Sequence, residues 1–109
     1  MKRLMITLSL ALPFSVQADT SVALEFCKPI HGLAETIMER RQEGVSMVKM
    51  LEIANPSDGG SIKELAISLV EEAYSSPRYH SPENQQRAVQ DFGNEKFKMC
   101  MDLMKEIEK

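Results

Sequence analysis

Residues 27–44 read CKPIHGLAETIMERRQEG, and their spacing decides the fold. Leu33, Ala34, Ile37, Met38 and Arg41 recur at the three- and four-residue intervals that gather side chains on one face of an α-helix, while Glu35, Glu39, Arg40 and Glu43 fall elsewhere. Gly44 can take the left-handed conformation that ends a helix. Pro29 admits two readings. It sits in a first turn, where its missing N–H costs little, or it kinks a helix that began near Val22.

Working outward, Ser46 is placed to cap a short second helix, Met47 to Ala54, with Val48, Leu51 and Met47 as its inward candidates. Residues 55–60, NPSDGG, form the clearest loop. Ser61 and Glu64 then have the spacing of a capping box. Ile62, Leu65, Ala66, Leu69, Val70 and Ala73 make a helical stripe that ends before Pro77, because the residue preceding a proline disfavours helix. Ser81-Pro82-Glu83 opens a last helix to near Ile107, with a capping hydroxyl, a first-turn proline and an acid at the positive end of the dipole. Its predicted inner face carries Val89, Phe92, Cys100, Leu103 and Ile107, and Lys105 and Lys109 suit its negative end. Gly93 marks a close crossing or a bend. Nothing alternates with the period of a strand, so the predicted fold is all-α: a small bundle of about four helices.

The chain has 109 residues, 43% of them hydrophobic and 27% charged, which suits one small domain and excludes a repeat array or a polytopic membrane protein. Residues 1–18, MKRLMITLSLALPFSVQA, have the basic start, short apolar run and small-residue end of a secretory signal; the run is too short to span a bilayer. Before Cys27, Leu24-Glu25-Phe26 puts a charge and a ring where a lipoprotein signal has small residues. The expected domains are therefore a leader, 1–18, and a helical domain, 19–109. Two of the 13 basic residues and none of the 16 acids lie in the leader, which leaves a net charge of −5. That balance carries no footprint for nucleic acid and no polybasic patch for an anionic membrane. Export also bears on Cys27 and Cys100, the only cysteines. In an oxidising compartment they are expected to form one disulfide between the first and last helices; free thiols, an intermolecular bridge or a metal site are the alternatives.

No catalytic or cofactor pattern occurs, and His31 and His80 have no neighbours at metal-ligand spacing, so neither enzymatic activity nor a cofactor is expected. Two stretches remain. Met99, Met101 and Met104, with Met47-x-x-Met50 upstream, resemble the thioether spacing of Cu(I) sites, although methionines also fill irregular cores. Residues 73–80, AYSSPRYH, gather aromatic and cationic side chains around a proline turn. Tyr74 there is expected to plug the bundle end, and Arg78, Tyr79 and His80 to be candidates for protein binding. Arg40 to Glu43 read as a solvated helix end.

Cys27 with Ala34, Arg41-x-x-Gly44, Ala73-Tyr74-x-x-Pro77 and Phe92 with Cys100 together resemble small secreted two-cysteine proteins of Gram-negative bacteria and their tailed phages. The resemblance spans nearly the whole of 19–109, and its motifs are structural. It implies a periplasmic, helical, disulfide-linked fold and no particular activity. Three functions are compatible with this. The first is a periplasmic protein-binding module of the immunity, inhibitor or phage lysis and exclusion class, acting on another envelope protein, with a homodimer also compatible. The second is a Cu(I)-binding protein using the methionines. The third is a periplasmic stress chaperone that opens in acid.

Overall fold

The computed structural model describes residues 15–55 and 60–107, with side chains from Ser21 onward. It contains four helices, α1 (Ser15–Glu43), α2 (Met47–Ala54), α3 (Gly60–Tyr74) and α4 (Pro82–Ile107), and no strand among the described residues. The predicted all-α bundle is therefore observed. Residues 1–14 of the expected leader, 56–59 of the expected loop, and Lys109 lie outside the described residues.

The frame is an antiparallel hairpin of α1 and α4. Cys27 and Cys100 are joined by a disulfide across it, with their Cα atoms 5.8 Å apart and both residues buried. One and a half helical turns further along α1, Gly93 lets the two helices touch. A Cβ added there would come within 2.5 Å of Glu35 Cγ and 3.2 Å of His31 Nε2. Gly93 thus marks a close crossing. On one side of this contact the His31 and Phe97 rings meet edge to face, 5.8 Å between centroids. On the other side α2 and α3 form a second layer across α1. Ala34, Ile37 and Met38 of α1 and Phe92 of α4 meet Met50 of α2 and Leu69, Val70 and Ala73 of α3 to make one core.

Helix ends follow local chemistry. Gly44, at φ +90°, closes α1: Val45 N–H donates to Arg40 O and Gly44 N–H to Arg41 O, the paired bonds of a Schellman motif. The Ser46 hydroxyl accepts from Lys49 N–H and the Ser81 hydroxyl from Asn84 N–H, as expected of N-caps.

Of the two readings of Pro29, a helix that starts before it is the one observed: α1 runs from Ser15 through Pro29, which is exposed, so water can serve the Glu25 carbonyl that the proline ring leaves without a donor. Several other expectations are corrected. α3 starts at Gly60, φ +79°, which places Ser61 inside the first turn and not at its cap. On α2 the buried residue is Met50, while Val48 is 67% exposed. An eight-residue amphipathic pattern fits more than one rotation about the axis, and the Ser46 cap with the approach of α3 selects among them. Ile62, Leu103 and Ile107 were expected to face inward but are 76%, 62% and 75% exposed. Each lies on the apolar stripe of its helix, but near an end, on a side that none of the described residues buries.

The disulfide closes a loop of 73 residues, so by chain entropy it contributes about 4 kcal/mol. Replacing both cysteines (Cys27→Ser with Cys100→Ser) should lower the unfolding free energy by about that amount in a urea titration. A loss below about 1 kcal/mol would show that the hairpin already restrains the unfolded chain.

Candidate functional site

The turn between α3 and α4 holds the residues marked for binding, and the structure first shows what fixes them there. The end of α1 and this turn serve each other's backbone groups. Arg41 donates from Nε and Nη2 to Ser76 O, at 3.1 Å each. Gln42 donates through Nε2 to Pro77 O at 3.0 Å and accepts through Oε1 from Tyr79 N–H at 2.8 Å. In return, Arg78 Nε donates to Gln42 O at 2.9 Å, and the Tyr74 hydroxyl donates to Val45 O at 2.5 Å. Helix C-termini leave carbonyls without intrahelical donors, and a proline turn leaves amides and carbonyls equally bare. Here each structure supplies what the other lacks. No buried side-chain nitrogen or oxygen among the described residues lacks a partner.

This geometry corrects the view of residues 40–43 as a solvated helix end. Arg40 and Glu43 do form an exposed pair at 2.9 Å. Gln42, however, is only 3% exposed, and the Arg41 guanidinium is part-buried, 5.1 Å from the centre of the Tyr74 ring. Gln42 was missed because a glutamine between charged residues has no sequence signal of burial; its partners lie 35 to 37 positions away.

Tyr74 and the three expected binding residues divide into two pairs. Tyr74 seals the end of the bundle, as expected. Burial holds its hydroxyl pKa above the ordinary value near 10, with the Arg41 charge opposing the shift. Arg78 spends its Nε on Gln42 O and lays its guanidinium over Gly44, where an added Cβ would meet Cζ at 2.9 Å. Tyr79 and His80 are exposed. The Tyr79 backbone is held on both sides, since its N–H reaches Gln42 and its carbonyl accepts from Gln85 Nε2 at 2.7 Å. Beside it runs a shallow groove of about 360 Å³ between α1 and α4, lined by Glu39, Gln42, Glu43, Gln85 and Gln86 together with the apolar Pro82 and Val89.

The methionines do not converge. Met99 is half exposed, and its Sδ faces Lys96 Nζ at 3.6 Å. Met101 and Met104 are half-buried on another face of α4, and Met50 belongs to the core. An ammonium group beside a thioether is a poor setting for a cation. Among the described residues no cluster of three or more His, Cys, Asp or Glu is placed to hold a metal.

A buried charge went unseen in the sequence. Lys96 is 8% exposed on α4, paired with Glu72 of α3 and Glu95, with its Nζ 5.3 Å from the Phe92 ring centre. It joins α3 to the hairpin beside the core.

The fold and this corner define a disulfide-stapled helical domain whose turn is held rigid from within. No helix of the described residues is long and apolar enough to cross a membrane. No family model, curated protein or solved structure matches the chain.

Gln42→Ala would leave Pro77 O and Tyr79 N–H unpaired and should cost about 2–3 kcal/mol in chemical denaturation, against less than about 0.5 for the exposed Glu43→Ala. Equal effects would mean that water serves the turn just as well. The Tyr74 shift has a further consequence. A hydroxyl that ionises later in the folded state than in the unfolded state contributes stability below pH 10 and loses it as pH rises further. Urea midpoints should therefore fall above about pH 10, and Tyr74→Phe should flatten that fall after an initial loss of about 1 kcal/mol.

Proposed function

We propose that this chain is a periplasmic protein-binding module, a non-enzymatic domain that acts by covering a surface of another envelope protein. The observation that carries this reading is the way Tyr79 is presented. Its backbone is fixed at both the N–H and the carbonyl, while the residue itself stays 38% exposed beside the exposed His80. An exposed aromatic on a rigid turn loses little entropy on docking, and tyrosine combines apolar area with a polar tip. The groove beside it adds the carboxylates and amides of Glu39, Glu43, Gln85 and Gln86 around the apolar Pro82 and Val89. Secretion is supported by the leader-like residues 1–18 and by a disulfide that an oxidising compartment would maintain. Arg78 belongs to this reading as a positioning residue, since its guanidinium caps α1 and steadies the turn.

A photoreactive residue placed at position 79 should give one discrete protein adduct in periplasm, lost when His80→Ala is added. The same residue at Lys49, exposed on α2, should give none. Equal labelling from both positions, or none from position 79, would overturn the proposal.

A further inference from the structure

At the other end of the hairpin the described residues present an apolar face with no second layer over it. Leu33 on α1 and Phe92 on α4 lie under the α2–α3 layer. Phe26 stands seven residues before Leu33, and Val22 four before that, so both prolong the face that Leu33 presents. Met99 and Leu103 prolong the face of Phe92 in the same way, at seven and four residues. Because α1 and α4 are antiparallel and stapled at Cys27–Cys100, these extensions run toward the same end and the same side. No described residue covers them. Val22, Phe26, Met99 and Leu103 are 60%, 59%, 49% and 62% exposed, and Ile107 continues the stripe.

We infer that this face is occupied by a second copy of the chain. The open part of an antiparallel hairpin is nearly symmetric about a two-fold axis across it. Two copies related by that axis make a four-helix bundle, in which each partner hairpin takes the position that α3 fills further along. Charge does not oppose the contact. Around the patch the exposed pairs Glu25–Lys28 and Lys98–Asp102 are satisfied within each helix, and neither sign is in excess among Glu25, Lys28, Lys98 and Asp102. The area is also substantial. Half-exposed side chains of this size each bring on the order of 100 Å² of surface, so the five residues of the stripe supply roughly 500 Å², more than half of the roughly 800 Å² per partner of a stable interface. This inference uses none of the residues of the α3–α4 turn, so it stands or falls separately from the binding reading.

The test is native mass spectrometry and sedimentation of the disulfide-intact chain 19–109 over about 1–100 µM, the range in which an interface of this size associates. A dimer is expected. Phe26→Ser with Leu103→Ser should return it to monomer with unchanged helical circular dichroism and an intact disulfide. Ile62→Ser, an exposed apolar change outside the stripe, should leave the dimer in place. A chain that is monomeric throughout, a dimer that survives the double change, or one broken by Tyr79→Ala would overturn the inference.

Discussion

The Gln42 side-chain amide sits 3% exposed between a helix end and a proline turn, and makes one strong bond with each of its ends. Much of the second layer depends on that reciprocity. The turn after α3 contains Pro77, which has no N–H to offer, and its neighbours cannot continue a helix. Left alone it would expose Ser76 and Pro77 carbonyls and the Tyr79 amide to competition from water. Docked on α1, all three are answered by Arg41 and Gln42. The position of α3 over the core is thereby tied to the last turn of α1, and Val70 and Ala73 can close at 0% exposure. The motif residues Arg41, Gly44, Ala73, Tyr74 and Pro77 form this one corner. Gly44 provides the positive φ and the room for Arg78, Ala73 the absence of bulk, and Tyr74 the hydroxyl for Val45 O.

The hairpin obeys a different constraint. Two long helices in contact gain from area, but a buried cation costs far more than area returns unless it is paired. Lys96 meets this condition through Glu72 and Glu95, its charge lying near the Phe92 ring. Since Glu72 is on α3, the pair adds an electrostatic attachment of the second layer, several turns from the Gln42 corner along α4. The disulfide restrains only the α1–α4 contact. The two layers are therefore held together by polar bonds at their edges as well as by the core between them.

How far the sequence foretells this follows from the range of each interaction. Gly44, Ser46 and Ser81 act within three or four residues, and their roles could be read directly. The helical period identified Ala34, Ile37, Met38, Leu69, Val70 and Ala73 as core; all but Ala73 lie inside their helices, where a neighbour passes, and Ala73 lies at the end of α3 that the α1 terminus covers. Ile62, Leu103 and Ile107 have the same period at helix ends, where the pattern records an apolar face but not whether anything covers it. Met50 against Val48 turned on the rotation of an eight-residue helix, which a pattern so short does not determine. Gln42, Arg78 and Lys96 engage partners distant in sequence, and nothing in their local composition distinguishes them from solvated residues. At the proposed binding turn, Tyr79 and His80 could be singled out as unusual, but what makes Arg78 a strut is its bond to Gln42 O, 36 positions away.

The two ends of the molecule are consequently unlike in kind. At the α3–α4 turn the polar groups of the chain satisfy one another, so the surface that remains is fixed in shape and can be covered without further ordering. At the far end the frame is equally fixed, by the Cys27–Cys100 bridge and the Gly93 contact, but none of the described residues covers its apolar face. Exposed apolar side chains scattered singly call for no explanation. Val22, Phe26, Met99 and Leu103 are not scattered, because they extend two helical faces that are buried higher up and converge at the same end. Such a face is a favourable docking surface because it is rigid: covering it gains apolar burial while little conformational freedom remains to be lost.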